Sequence, residues 1–182
     1  IMDIGKLIDR QTLDQAIRWL EEARRIMFFG AGGSGVIATD VYHKFLRCGM
    51  HVINENNTHI ALIHAAQLTK EDLLVLISHE GESKEVLECC RLAQNNGARV
   101  LGMTSYMNSD LARMADLCIF SSTNDSTYYS DAMVSRLVQL VIMDMLFIAI
   151  STRQDASQKA LETSRLATRE MKLHPQEEEG RG

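Results

Sequence analysis

The chain has 182 residues, 46% of them apolar and 24% charged, which suits one globular domain able to bury a core without disulfides or metal. A formal net charge of −5 argues against this segment gripping nucleic acid by itself, because binding to a phosphate backbone draws on clustered Lys and Arg. The longest apolar stretch, 137–150, is interrupted by Gln139 and Asp144 and falls short of the ~20 residues a bilayer requires.

Leu7, Leu13, Ile17 and Leu20 recur at helical spacing and predict one or two amphipathic lead-in helices within residues 1–24. That charged segment has no secretory signature, so a cytoplasmic protein is expected. Because the chain starts at Ile1, it is expected to be a domain of something longer, with any basic DNA-binding module elsewhere. Five apolar, strand-like segments follow at 25–29, 51–54, 73–77, 99–103 and 117–120, with helical patterns at 33–48, 58–67, 83–95 and 109–115. Alternation of strand and helix predicts an α/β fold, a three-layer α/β/α sandwich around a five-stranded parallel sheet. Asn95-Asn96-Gly97 reads as a helix stop, with Gly97 available for the left-handed cap.

After the last strand comes a polar loop, 121–130, and then a long apolar helix, 131–150. Leu137, Val138, Val141, Ile142, Met145 and Leu146 cover more than one face of it, which fits a sheet on one side and a second subunit on the other, in a homodimer or homotetramer. A charged helix over 155–173 closes the main domain, 25–173, and the tail 174–182 is expected to be disordered. Cys48, Cys89, Cys90 and Cys118 lack zinc-type spacing and read as reduced, partly buried thiols; the ten Met read as core filler.

Two polar loops, Gly30-Ala31-Gly32-Gly33-Ser34-Gly35 and Ser78-His79-Glu80-Gly81-Glu82-Ser83, each follow a strand and open a helix. Such turns bring backbone N–H groups, hydroxyls and the positive end of a helix dipole to one point, and two of them suggest one anionic ligand gripped from both sides. Gly30-x-Gly32-x-x-Gly35 with Glu55 about 20 residues on also matches the dinucleotide fingerprint. Against an NAD-binding Rossmann domain stand the hydroxyl of Ser34, the second loop and the lack of a separate catalytic domain.

The second loop, Ser78-x-x-Gly81-x-Ser83, resembles the S-x-S-G-x-T/S loop of the sugar isomerase (SIS) domain, and Gly30, Gly32 and Ser34 resemble that family's G-x-G-x-S element. Asn108-Ser109-Asp110-Leu111-Ala112-Arg113-Met114-Ala115-Asp116 is similar to its S-P-L-A-x-x-A-D segment, with Asp in place of Pro. The segment from Ser135-Arg136-Leu137 to Asp144 is similar to the S-R-I-A-Q-L-x-x-I-D helix of RpiR-type transcriptional regulators. The resemblance implies a flavodoxin-like SIS fold and an effector domain that binds a phosphorylated sugar, with DNA bound only through a helix-turn-helix domain absent from this sequence. It implies neither a cofactor nor a metal. Hydroxyls at Ser34, Ser78 and Ser83 would hold the phosphate, with Gly32, Gly33, His79, Glu80 and Gly81 completing the site and Glu55 and Asp131 as further contacts.

Glu80 stands where the isomerases carry a second phosphate-binding Ser, and its carboxylate would repel a phosphate; Glu82 adds a further charge, expected to be solvated, and Lys84 a partial offset. An aldose–ketose isomerase needs a base and a ring-opening acid. Asp131, Glu55, His79, His59 and His64 are the candidates, but they form no convincing pair, which favours binding over turnover. Arg136 is set aside as equally suited to pairing with a carboxylate at a subunit junction, and Tyr128 and Tyr129 as packing. A catalytic phosphosugar isomerase or lyase, and the dinucleotide domain, remain the alternatives.

Overall fold

The computed structural model describes residues 9–121, 131–153 and 155–169. In chain order it contains α1 (Arg10–Glu22), β1 (Arg25–Gly30), α2 (Gly33–Arg47), β2 (Val52–Asn54), α3 (Thr58–Ala65), β3 (Asp72–Ile77), α4 (Lys84–Asn95), β4 (Arg99–Thr104), α5 (Asp110–Met114), β5 (Leu117–Phe120), α6 (Asp131–Arg153) and α7 (Asp155–Arg169). The strands form one parallel sheet in the order β2-β1-β3-β4-β5, the α/β architecture expected, with each strand bound at most one residue from its expected place. β3 lies at the centre and is buried along its whole length, which is why Leu73 to Ile77 read as an unbroken apolar run rather than an alternating one.

Successive strand residues point to opposite faces, so the sheet divides the core in two. On one side Ile26, Phe28, Val75 and Ile77 pack with Ile17 and Leu20 of α1, Val41 and Phe45 of α2, and Ile142 and Leu146 of α6. On the other, Met27, Phe29, Leu74 and Leu76 meet Ala61 and Ala65 of α3, Val86 and Cys89 of α4, and Leu111 of α5.

Capping and tight turns decide most of the differences between the helix bounds and those expected. Ser83 and Ser109 sit just outside α4 and α5 as N-cap residues. α3 stops at Ala65 because the Gln67 N–H bonds the carbonyl of His64, a tighter turn than an α-helix makes. Gly97, at φ 80°, follows α4 as its left-handed stop.

α6 extends beyond its expected end, and Met133–Arg153 is long and apolar enough by length and composition to cross a membrane. Here it is a core helix: Val138, Ile142, Leu146 and Ile150 are buried, while Met133, Leu137, Val141 and Ile148 form an exposed stripe. Both polar interruptions of its apolar run are engaged. Asp144 pairs with Lys44 of α2, which also bonds Asp40 at 2.6 Å, and Gln139 donates to the Ser121 hydroxyl at 3.1 Å. Burial alone would lower the Lys44 pKa, but the two carboxylates raise it. At the start of β3 the buried Asp72 accepts from Thr69 N–H and from the Arg25 guanidinium, both at 2.9 Å. Burial pushes its carboxyl upward, yet those partners outweigh it and hold it below the usual range. The Tyr128–Tyr129 loop and the C-terminal tail lie outside the described residues.

Candidate functional site

The strand order reverses between β1 and β3, whose following helices go to opposite faces: α2 joins the first core and α4 the second. The loops after these strands therefore diverge and leave a crevice at the carboxyl ends of the sheet, the place where open α/β folds bind ligands. A pocket of about 290 Å³ occupies it. Gly33 and Ser34 line it from the first loop, Ser78, His79, Glu80 and Ser83 from the second, and Arg136 reaches in from α6.

The way the helices start there differs from elsewhere. α1, α3 and α5 are capped by the side chains of Asp9, Asn57 and Ser109, each accepting a first-turn N–H. α2 and α4 begin at Gly32 and Ser83 with no side-chain cap bond. Both uncapped starts border the same crevice; in α2 the Ser34 and Gly35 N–H groups bond the Ala31 and Gly32 carbonyls at 3.1 Å, which leaves the Gly33 N–H, the first-turn donors of α4 and both positive dipole ends for whatever occupies it. The Ser83 hydroxyl lies 3.5 Å from the Glu85 carboxylate, at the limit of a hydrogen bond, and remains able to turn to a ligand.

The second loop is braced from behind. Ser78, 7% exposed, accepts the Gly81 N–H at 3.1 Å, so its oxygen stiffens the loop and its proton is what it can offer outward. Gly81, at φ 74°, lies so close to α5 that a Cβ there would fall 2.6 Å from Ser109 Cβ and 2.9 Å from Thr104 Oγ1. Thr104 Oγ1 in turn donates to the His79 carbonyl at 3.0 Å. Glu82, expected to be a solvated loop side chain, is exposed; its carboxylate also accepts the Asp110 N–H at 2.9 Å at the start of α5 and borders the pocket. Glu80 is exposed at the rim.

His79 is joined to α6 through hydroxyls. Its Nδ1 lies 2.9 Å from Ser105 Oγ, which donates to Ser135 at 2.8 Å and meets Ser121 at 3.0 Å. The His79–Ser105 bond takes either direction according to the ring's tautomer; with the proton on Nδ1, a neutral ring presents Nε2 as an acceptor. The ring also stands edge-on to Tyr106, with centroids 5.5 Å apart.

Of the residues expected at the site, Gly33, Ser34, Ser78, His79, Glu80 and Ser83 converge on the pocket. Gly32, at φ 56°, turns the first loop and lines a neighbouring hollow of about 420 Å³ with Thr39, Asn56 and Thr58, while Gly81 shapes the second loop from within. Glu55 is not in the pocket wall: its carboxylate accepts the Asn57 N–H at 2.8 Å ahead of α3, a local turn bond that sequence distance from the first loop could not reveal. Asp131 heads α6, and its side chain lies outside the described residues. Arg136, set aside on sequence grounds, belongs to the pocket, brought there only by the packing of α6 on α2. Among the described residues no group of three or more His, Cys, Asp or Glu is placed to hold a metal.

A doubly wound α/β domain with two uncapped helix starts at its switch point has a crevice suited to an anion. The chain belongs to the SIS domain family, whose model matches residues 19–170. Over 94% of its length it is 33% identical to an uncharacterised HTH-type transcriptional regulator of Thermotoga maritima, spanning 61% of that protein. It is also 37% identical to the regulator HexR of Pseudomonas aeruginosa over 82% of the chain, and 30% identical to RpiR of Escherichia coli over 83%, spanning 52% and 51% of those proteins. Among solved structures, NanR of Vibrio vulnificus complexed with ManNAc-6P superposes with a TM-score of 0.86 at 22% identity, over 94% of this chain and 65% of that one, and so shares the fold. The dinucleotide reading is not sustained: the order β2-β1-β3-β4-β5 is the flavodoxin-like one, and Glu55 is not placed as a ribose-binding acid.

Proposed function

We propose that the chain is the phosphosugar-sensing effector domain of a cytoplasmic transcriptional regulator, whose helix-turn-helix DNA-binding domain lies outside this sequence. The observation that carries the reading is the pair of uncapped helix starts at one crevice. Hydroxyls of Ser34, Ser78 and Ser83, with the first-turn N–H groups, hold the phosphate. His79 Nε2 accepts from a sugar hydroxyl, and Glu80 stands exposed at the rim. The names of the relatives support the regulatory role, and the complex of NanR with ManNAc-6P supports the ligand class. The exposed stripe Met133, Leu137, Val141 and Ile148 suits a second copy of the chain, so the working form is a homo-oligomer in which ligand shifts the pose of the DNA-binding domains.

A thermal-shift screen against phosphosugars tests the reading. A ligand at one hundred times its Kd adds about 2.7 kcal/mol of stability, roughly 5–10 °C for a domain of this size. No shift with any phosphosugar would refute sensing, and turnover of a stabilising sugar would move the protein to the isomerase class.

A further inference from the structure

We propose that Arg136 is a phosphate-contacting residue of this site, closing it from α6 as the third element of the clamp; the inference rests on the phosphosugar reading above. The Arg136 guanidinium lies over the first residue of α2, so close that a Cβ on Gly33 would fall 2.7 Å from its Cζ and 3.0 Å from its Nε. It shares the pocket wall with Ser34, Ser78 and Ser83.

Like Arg47 and Arg165, Arg136 has no carboxylate within ion-pair distance among the described residues; unlike them it stands over the start of a helix at the pocket. The two acids bordering the pocket do not serve it: Glu82 is bonded at the start of α5, and Glu80 is exposed at the rim. A cation held over the positive end of a helix is unfavourable by itself. Set beside two uncapped helix starts, it makes sense as one side of a site whose centre is an anion. A phosphoryl group there would receive N–H donors from α2 and α4, serine hydroxyls from the loops and the planar fork of the guanidinium from above, which can meet two oxygens at once. The same cation offsets Glu80, and so explains how a pocket edged by two carboxylates admits a phosphate.

The experiment is calorimetric titration of the wild-type chain, Arg136→Gln and Arg136→Lys. The probes are ManNAc-6P, glucose and ribose each phosphorylated on the terminal hydroxyl, inorganic phosphate, and unphosphorylated ManNAc, glucose and ribose. For the phosphorylated probe that wild type binds, Arg136→Gln should weaken binding about 10- to 100-fold and Arg136→Lys less, while the melting temperature of the unliganded protein does not fall, because the side chain is exposed and its charge over the start of α2 is unfavourable without an anion. Full affinity in Arg136→Gln would overturn the inference alone, as would an equal loss for the matching unphosphorylated sugar. Failure of wild type to bind any phosphorylated probe would overturn the phosphosugar reading and the inference with it.

Discussion

Replacing Gly81 by Ala tests whether the second loop is held in shape by its contact with α5. The backbone there has φ 74°, where an L side chain costs roughly 1–2 kcal/mol. The new Cβ would also sit 2.6 Å from Ser109 Cβ and 2.9 Å from Thr104 Oγ1. Both groups are in use: Ser109 Oγ accepts the Ala112 N–H at 3.3 Å as the cap of α5, and Thr104 Oγ1 holds the His79 carbonyl at 3.0 Å. Displacing them costs about 1–3 kcal/mol, in the range of overpacking and of a lost cap. The total, about 3 kcal/mol, should lower the melting temperature by roughly 6–12 °C in thermal denaturation followed by circular dichroism. Because the strain falls on the loop that carries Ser78 and Ser83, phosphosugar affinity should drop with it. A loss of less than about 2 °C would show that the loop relaxes freely and that the close approach to α5 is not what shapes it.

Ser83→Ala should weaken phosphosugar binding by roughly 0.5–3 kcal/mol in titration calorimetry, the range spanning an ordinary hydrogen bond and one to a charged group, and unchanged affinity would remove Ser83 from the site. Glu80→Ser should tighten binding if the carboxylate lies about 4 Å from the phosphate, where repulsion is roughly 1–4 kcal/mol between water and an effective dielectric of 20. Weaker binding would instead identify a hydroxyl or amine as its partner, and equal affinities across a matched ligand series would leave it solvated. Leu137→Glu, in the exposed stripe of α6, should lower the oligomeric state in sedimentation without unfolding the domain; an unchanged sedimentation coefficient would clear the stripe of that role. Asp72, whose folded pKa lies below its unfolded value, contributes stability that is present above about pH 4 and is lost as pH falls through the lower folded value. Asp72→Asn should therefore flatten the acid limb of the stability curve and cost about 1–3 kcal/mol at neutral pH by weakening its bonds with Arg25 and Thr69, and an unaltered acid limb would count against this role.

Composition, periodicity and turn chemistry determined the element order and both loops that line the crevice, because these are local properties. The unbroken run Leu73–Ile77 marks a strand covered on both faces wherever it falls, and Gly97 ends a helix through its own backbone. Ser83 and Ser109 could equally be placed at helix starts from sequence, but only the fold assigned them different work. Ser109 turns inward and caps α5, while Ser83 leaves α4 open toward the crevice. The bond of Glu82 and the place of Arg136 escaped sequence reasoning for the same reason. One meets the start of α5 and the other the start of α2, and both contacts depend on how layers pack rather than on spacing along the chain. Glu55 erred in the opposite direction: its distance from the first glycines fitted a ribose-binding acid, but a nearby N–H claimed it. Local sequence dictates which groups a turn can present, and only the packed sheet, by sending α2 and α4 to opposite faces, decides which of them meet at one ligand.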